Sequence, residues 1–154
     1  MAKKKPNQPK VISNRVARHD YNLGDSFVVG IELTGAETKN LRMGHGQLRG
    51  AYVTIKDNQL WLINATISGS NGIPMVEADQ TRTRRLLAKR KEIDSIISAK
   101  QMGKTAVPLE MLTGGRYIKV RIAVGTGKKN YDKRQTLKAR DETREIGRAL
   151  KSFH

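Results

Sequence analysis

Five residues in a row, Thr81-Arg-Thr-Arg-Arg85, are the densest set of groups in this chain able to do chemistry, and the chemistry they suit is anion recognition. Guanidinium forks match phosphate oxygens bidentately. If Thr81 caps a helix, the helix N-terminus adds amide donors and a positive end to the same site. The plainer reading of such a run is a solvated helix face. The sign of the whole chain, 30 Lys and Arg against 14 Asp and Glu for a net +16, favours phosphate contact by Arg82, Arg84 and Arg85.

A second candidate is Gly125-Thr-Gly-Lys-Lys-Asn-Tyr131-Asp-Lys-Arg134. It lacks the spacing of a nucleotide-binding P-loop. Past Gly127 come nine Lys or Arg against four Asp or Glu, with few residues able to fill a core. At helical spacing Lys133, Arg140, Arg144, Arg148 and Lys151 fall on one stripe, and Ile146, Ala149, Leu150 and Phe153 gather opposite. Asp141–Arg144 and Glu145–Arg148 pairs add a few tenths of a kcal/mol each, too little to hold an isolated helix in water. This stretch is expected to be a tail that reaches a partner, the alternative being an amphipathic helix folded on its own domain.

Catalytic constellations are thin. His19, His45 and His154 are scattered, no HxxxH or CxxC spacing exists, and the absence of cysteine excludes disulfides and thiolate metal sites. Glu32 and Glu37 read as partners of neighbouring cations rather than as paired catalytic carboxylates. No catalytic residue, metal or cofactor is expected. The charge points to a polyanion, RNA or DNA above all. No apolar run is long enough to span a membrane, and Met1-Ala-Lys-Lys-Lys-Pro lacks the apolar centre of a signal peptide, so a cytoplasmic protein is expected.

The elements that must position these groups follow from periodicity. Residues 1–13 read as a basic mobile arm, and Phe27–Thr34 as a buried strand. Glu37–Met43, stopped by Gly44, makes one or two helical turns with Leu41 inward. Residues 51–55 and 60–63 form a hairpin around Lys56-Asp-Asn58, in which Trp61 reads as core rather than as a stacking platform. Ser68–Pro74 is loop. A helix from Thr81 to about Ser98 sets Leu86, Ile93 and Ile97 on one face and Arg82, Arg85 and Lys89 on another. A second hairpin joins 106–112 to 117–124 through Gly114-Gly115, with Ile118, Val120, Ile122 and Val124 alternating with Lys119, Arg121 and Ala123. The pattern suggests a mainly β fold with short helices: an antiparallel, OB-like Greek-key barrel with flanking helices over residues 14–126, followed by a tail over 127–154.

Together, Asn14-Arg-x-Ala-Arg-His-Asp-Tyr21, Gly30-Ile-x-Leu-Thr-Gly-x-Glu37-x-Lys39-x-Leu-Arg42-x-Gly44, Thr81-Arg-Thr-Arg-x-Leu-Leu87, Lys91-Glu-Ile93, Val107-Pro-Leu109 and Gly127-Lys-Lys-x-Tyr-Asp-Lys-Arg134 resemble the SsrA-binding protein (small protein B) family of bacteria. The resemblance implies a monomeric, non-enzymatic adaptor that binds the tRNA-like domain of transfer-messenger RNA and enters stalled ribosomes. It implies a tail, disordered when free and helical when bound, that reaches the decoding centre and the empty mRNA channel of the small-subunit rRNA. Matched onto this chain, the RNA-binding positions of the body are His19, Tyr21, Glu37, Lys39, Arg42, Leu87 and Lys119, alongside the arginine cluster. Those of the tail are Lys128, Lys129, Tyr131, Asp132, Lys133, Arg134, Ala149 and Leu150, joined by Arg140, Arg144 and Arg148. The chain departs from the family at Val28, where Glu is usual, at Gly50, at Gly69-Ser70 and at Glu77–Gln80. A ribosomal protein held in rRNA and a small nuclease are the rival readings.

Overall fold

The computed structural model describes residues 11–128 together with Arg134, Arg140 and Arg144. In chain order the elements are β1 (Ile12–Ser13), α1 (Arg15–Asp20), β2 (Tyr21–Ile31), α2 (Gly35–Arg42), β3 (Gly46–Gln47), β4 (Tyr52–Lys56), β5 (Gln59–Ile63), β6 (Thr66–Ile67), α3 (Glu77–Gln80), β7 (Arg84–Leu87), α4 (Arg90–Gln101), β8 (Thr105–Leu112) and β9 (Lys119–Gly127). Strands run β1-β8-β4-β5-β7-β2-β9 in one antiparallel sheet, and β8 pairs with β9 to close all but β1 into a barrel. The small β3–β6 pair lies apart. The expected mainly β, antiparallel barrel with short helices is the fold observed.

Alternation builds the barrel interior. Leu60 and Leu62 of β5, Leu86 of β7, and Val120 and Ile122 of β9 point inward and are buried. Leu41 of α2 and Ile93, Ile96 and Ala99 of α4 join the same core. The turn Lys56–Gln59 carries positive φ at both Asp57 and Asn58, the geometry of a tight hairpin turn. Ala123, read as outward in the alternation, does face out of the barrel but is buried, because α1 lays Ala17 across the outer face of β8 and β9 against Val107, Leu109 and Ala123.

Several expectations are corrected. No helix runs from Thr81 to Ser98: α3 ends at Gln80, residues 84–87 are a strand hydrogen-bonded between β5 and β2, and α4 begins at Arg90. Two ladders satisfy the backbone of 84–87, which outweighs its helical propensity. Ile12 and Ser13 are not part of an arm, since Ile12 is buried and Ile12–Ser13 pair with Met111 and Glu110; residues 1–10 of that expectation lie outside the described residues. The strand read as Phe27–Thr34 starts at Tyr21 and stops at Ile31. Trp61 lies on the outer face between Leu60 and Leu62, half-buried, its Nε1 donating to the Lys56 carbonyl at 3.2 Å.

Candidate nucleic-acid interface

The arginine cluster divides once it is a strand. Arg84 points inward, is fully buried, and uses all five N–H donors: Nε to Glu37, Nη1 to the Ala65 and Arg82 carbonyls at 2.9 and 3.0 Å, and Nη2 to the Asp79 and Gln80 carbonyls at 3.0 and 3.1 Å. Arg82 donates to the other carboxylate oxygen of Glu37. The same carboxylate completes a capping box at the start of α2, accepting from the Thr34 amide at 2.9 Å while the Glu37 amide donates to Thr34 Oγ1. Burial alone raises the pKa of Glu37, but the bonds from Arg82, the Thr34 amide and Arg84 outweigh it and hold the group below its ordinary value. Burial likewise lowers the pKa of Arg84, against the opposing pull of Glu37; its intrinsic basicity still keeps it charged.

Glu37 and Arg84 are therefore not RNA contacts: both are sealed inside a charge network that fastens α2 to the approach into β7. Arg82 is half-buried and committed to Glu37. Arg85 stands on the outer face opposite Trp61, its buried Nε without a hydrogen-bond partner among the described residues. Arg42, although exposed, clamps the β8–β9 turn, donating to the Thr113 and Arg116 carbonyls at 3.1 and 2.9 Å. Lys39 is exposed on α2.

The other body candidates collect along the β2–β9 ribbon. At one end Gly30 pairs with Leu87 on one side and Lys119 on the other, so a single row of the sheet presents Leu87, half exposed, beside the exposed Lys119. A Cβ at position 30 would lie 3.2 Å from Leu87 Cβ, so glycine lets that side chain lean across the strand. Two pairs further along, and so on the same face, Val28 is paired with Arg121, whose guanidinium reaches Glu110 at 3.3 Å. At the other end Tyr21 pairs with Gly127, His19 Nδ1 lies 2.9 Å from Asp20 Oδ1, and the Lys128 amide donates to the Asp20 carbonyl at 2.8 Å. The root of the tail is thus sewn beside His19 and Tyr21. The two groups are separated by the length of β2, roughly 30 Å at about 3.3 Å per residue.

In the tail, Arg134, Arg140 and Arg144 are helical and exposed. Lys129, Tyr131, Asp132, Lys133, Arg148, Ala149 and Leu150 lie outside the described residues. Among those described, no group of three or more His, Cys, Asp or Glu is placed to hold a metal ion. Residue-level reading missed Arg121, Tyr52 and Asn14. Arg121 had a signal, since it sits two residues from Lys119 on one strand and so on the same face.

A family model described as SmpB protein matches residues 11–152. An SsrA-binding protein of Oenococcus oeni is 44% identical over 155 residues, spanning 100% of this chain and 100% of the relative. One of Trichormus variabilis is 41% identical over 155 residues, spanning 99% and 100%. A chain in a solved structure described as "tmRNA-SmpB: a journey to the center of the bacterial ribosome" superposes with a TM-score of 0.63 at 31% identity, covering 82% of this chain and 94% of that one.

Proposed function

This chain belongs to the SmpB protein family, and on that premise we propose that it is an RNA-binding adaptor of trans-translation. It binds the tRNA-like domain of transfer-messenger RNA, carries it to ribosomes stalled without a stop codon, and acts in the cytoplasm by binding rather than by catalysis. The observation that carries this reading is full-length similarity to SsrA-binding proteins in a chain of net charge +16.

The outer face of the β2–β9 ribbon is the body's RNA surface, with His19 and Tyr21 at one end and Leu87 and Lys119 at the other. Arg85 and Arg121 extend the cationic face, and Lys39 adds an exposed cation on α2. The chain divides into a barrel that holds the RNA and a tail from residue 128 onward that enters the ribosome, where Tyr131, Asp132, Lys133 and Arg134 meet the decoding centre and Arg140, Arg144, Arg148, Ala149 and Leu150 lie in the mRNA channel. Support for this division is the point at which β9 ends, beside His19 and Tyr21.

A gel-shift titration against a tRNA-like domain, with ordinary tRNA as competitor, tests the reading. Preferential binding is expected, with affinity falling steeply with salt because each neutralised phosphate contributes roughly 0.7 to 0.9 to the log–log slope. A slope near zero, or equal affinity for any RNA, would overturn it.

A further inference from the structure

The barrel has one weak seam. β4 and β8 share a single ladder pair, Val53 with Ala106, before β8 turns to pair with β1. A cleft of about 210 Å³ opens there. Its apolar lining comes from Ala17, Ala51 and Val107, all buried, with Val16 at the edge. Two of the chain's four tyrosines, Tyr21 and Tyr52, line the same cleft. Tyr52 is 40% exposed, so a phenol ring stands at the surface of the barrel rather than in its core. Gly50, also in the lining, has φ +77, and a Cβ there would meet nothing within 4 Å, so the mouth is open beside it.

We infer that this cleft receives a single unpaired nucleobase of the bound RNA, stacked against Tyr52 and Tyr21. The inference rests on the RNA-binding reading above and deepens it by naming a site on that surface. The remaining lining is polar, Asn14, Asp20 and Thr105, with no Lys or Arg, so the cleft suits neither a phosphate nor a carboxylate but offers hydrogen-bonding groups to the edge of a base. The volume is below the roughly 300 Å³ at which pockets for whole drug-sized ligands begin, and it suits one planar ring. An apolar floor with aromatic sides is how proteins hold a base splayed out of a single-stranded or looped RNA. The surroundings select RNA over a protein's aromatic side chain: Arg15 and Arg18 are exposed on α1, next to Val16 and Ala17 of the cleft, where the flanking phosphates would lie.

The test uses the full chain and the tRNA-like domain, with binding measured over a range of salt for wild type, Tyr52→Ala and Tyr52→Phe. Tyr52→Ala should lose about ten-fold in affinity, within the range alanine substitution gives for one base–aromatic stack. Tyr52→Phe should bind as wild type, because the ring face and not the hydroxyl makes the contact. The salt slope of all three should coincide, since no phosphate contact is removed, and short-wave ultraviolet crosslinking should join the RNA to the wild-type peptide bearing Tyr52. An unchanged thermal midpoint for Tyr52→Ala ties the loss to binding. Equal binding by Tyr52→Ala, equal loss by Tyr52→Phe, or RNA crosslinks elsewhere on the chain with none at the Tyr52 peptide overturns the pocket while leaving the RNA reading intact. Failure of the wild type to bind the RNA overturns the RNA reading first and the pocket with it.

Discussion

Glu37 shows how one residue type can serve two opposite expectations. Its carboxylate was expected to partner a neighbouring cation, and its place in the family motif also marked it for RNA; burial at 1% exposure decides for the first. Glu37→Gln is the informative substitution, because glutamine keeps one oxygen for the capping bond to Thr34 but removes the charge that balances Arg84 and the acceptor that Arg84 Nε uses. Leaving Arg84 buried without its counter-charge is expected to destabilise the fold by roughly 3–5 kcal/mol, read from denaturant unfolding. The pH dependence follows from the direction of the shift. The folded-state pKa of Glu37 lies below the ordinary 4.5, so its contribution is complete above that value and is lost as pH falls through the folded pKa. The stability gap between wild type and Glu37→Gln should therefore narrow on acidification; a gap that is constant or widens contradicts the assignment. Surface residues respond differently. Val28→Glu should bind RNA nearly as wild type, because the new carboxylate falls opposite Arg121 in the sheet, whereas Lys119→Glu sets a negative charge on the exposed row with Leu87 and should weaken binding about ten-fold or more and flatten the salt slope. Equal effects of the two on affinity would sink this account of the ribbon face.

At the scale of elements, hairpins were legible and seams were not. Period-two alternation gave β4–β5 and β8–β9 to within a residue or two at most ends, because each of those strands sets apolar side chains alternately against the core. β7 defeated the same reasoning because one of its two inward side chains is Arg84, and a charged residue at a core position reads as a surface one. α1 was not assigned at all: of its six residues only Ala17 is buried, so its apolar stripe is one residue wide. Asn14 explains how so short a helix holds its place. Its Oδ1 accepts from the Ala17 amide at 3.2 Å as the N-cap, while Nδ2 donates to the Leu48 and Pro108 carbonyls at 3.1 and 2.9 Å, tying α1 to β8 where Pro108 lacks an amide. Asn14→Ala removes the cap and strands two carbonyls, and is expected to cost about 2–4 kcal/mol, with local hydrogen-exchange protection lost first in residues 15–20. Protection unchanged in that segment while global stability falls would show that Asn14 secures the seam alone. Its value was invisible in sequence because both long-range partners are backbone carbonyls.

Over the whole molecule, the organisation to be tested is a division of labour between barrel and tail. β9 delivers the chain past Tyr21, and the Lys128 amide bonds the Asp20 carbonyl, so residues up to 128 belong structurally to the barrel. Beyond that point the excess of cations over core-forming residues argues that whatever the tail gains it gains from a partner: a run of like charges repels itself in water, and in the proposed RNA-walled channel it would be neutralised. Tyr131 adds a ring able to stack on an exposed base, a contact worth about 1–3 kcal/mol. On the proposed reading, the barrel surface and the tail are separable functions on one chain. Ending the chain after Gly127 is expected to leave the affinity for a tRNA-like domain within about three-fold of wild type, because removing distant cations lowers only the screened, long-range attraction. The same truncation should abolish peptide tagging on stalled ribosomes in a reconstituted translation assay. Replacing Tyr131, Asp132 and Lys133 together with alanine should reduce tagging less completely, since the cations further along the stripe remain. Full-rate tagging by the truncated chain would make the tail a solubilising extension; a loss of RNA affinity equal to the loss of tagging would place part of the tail on the transfer-messenger RNA instead, continuing the ribbon face from its His19 and Tyr21 end.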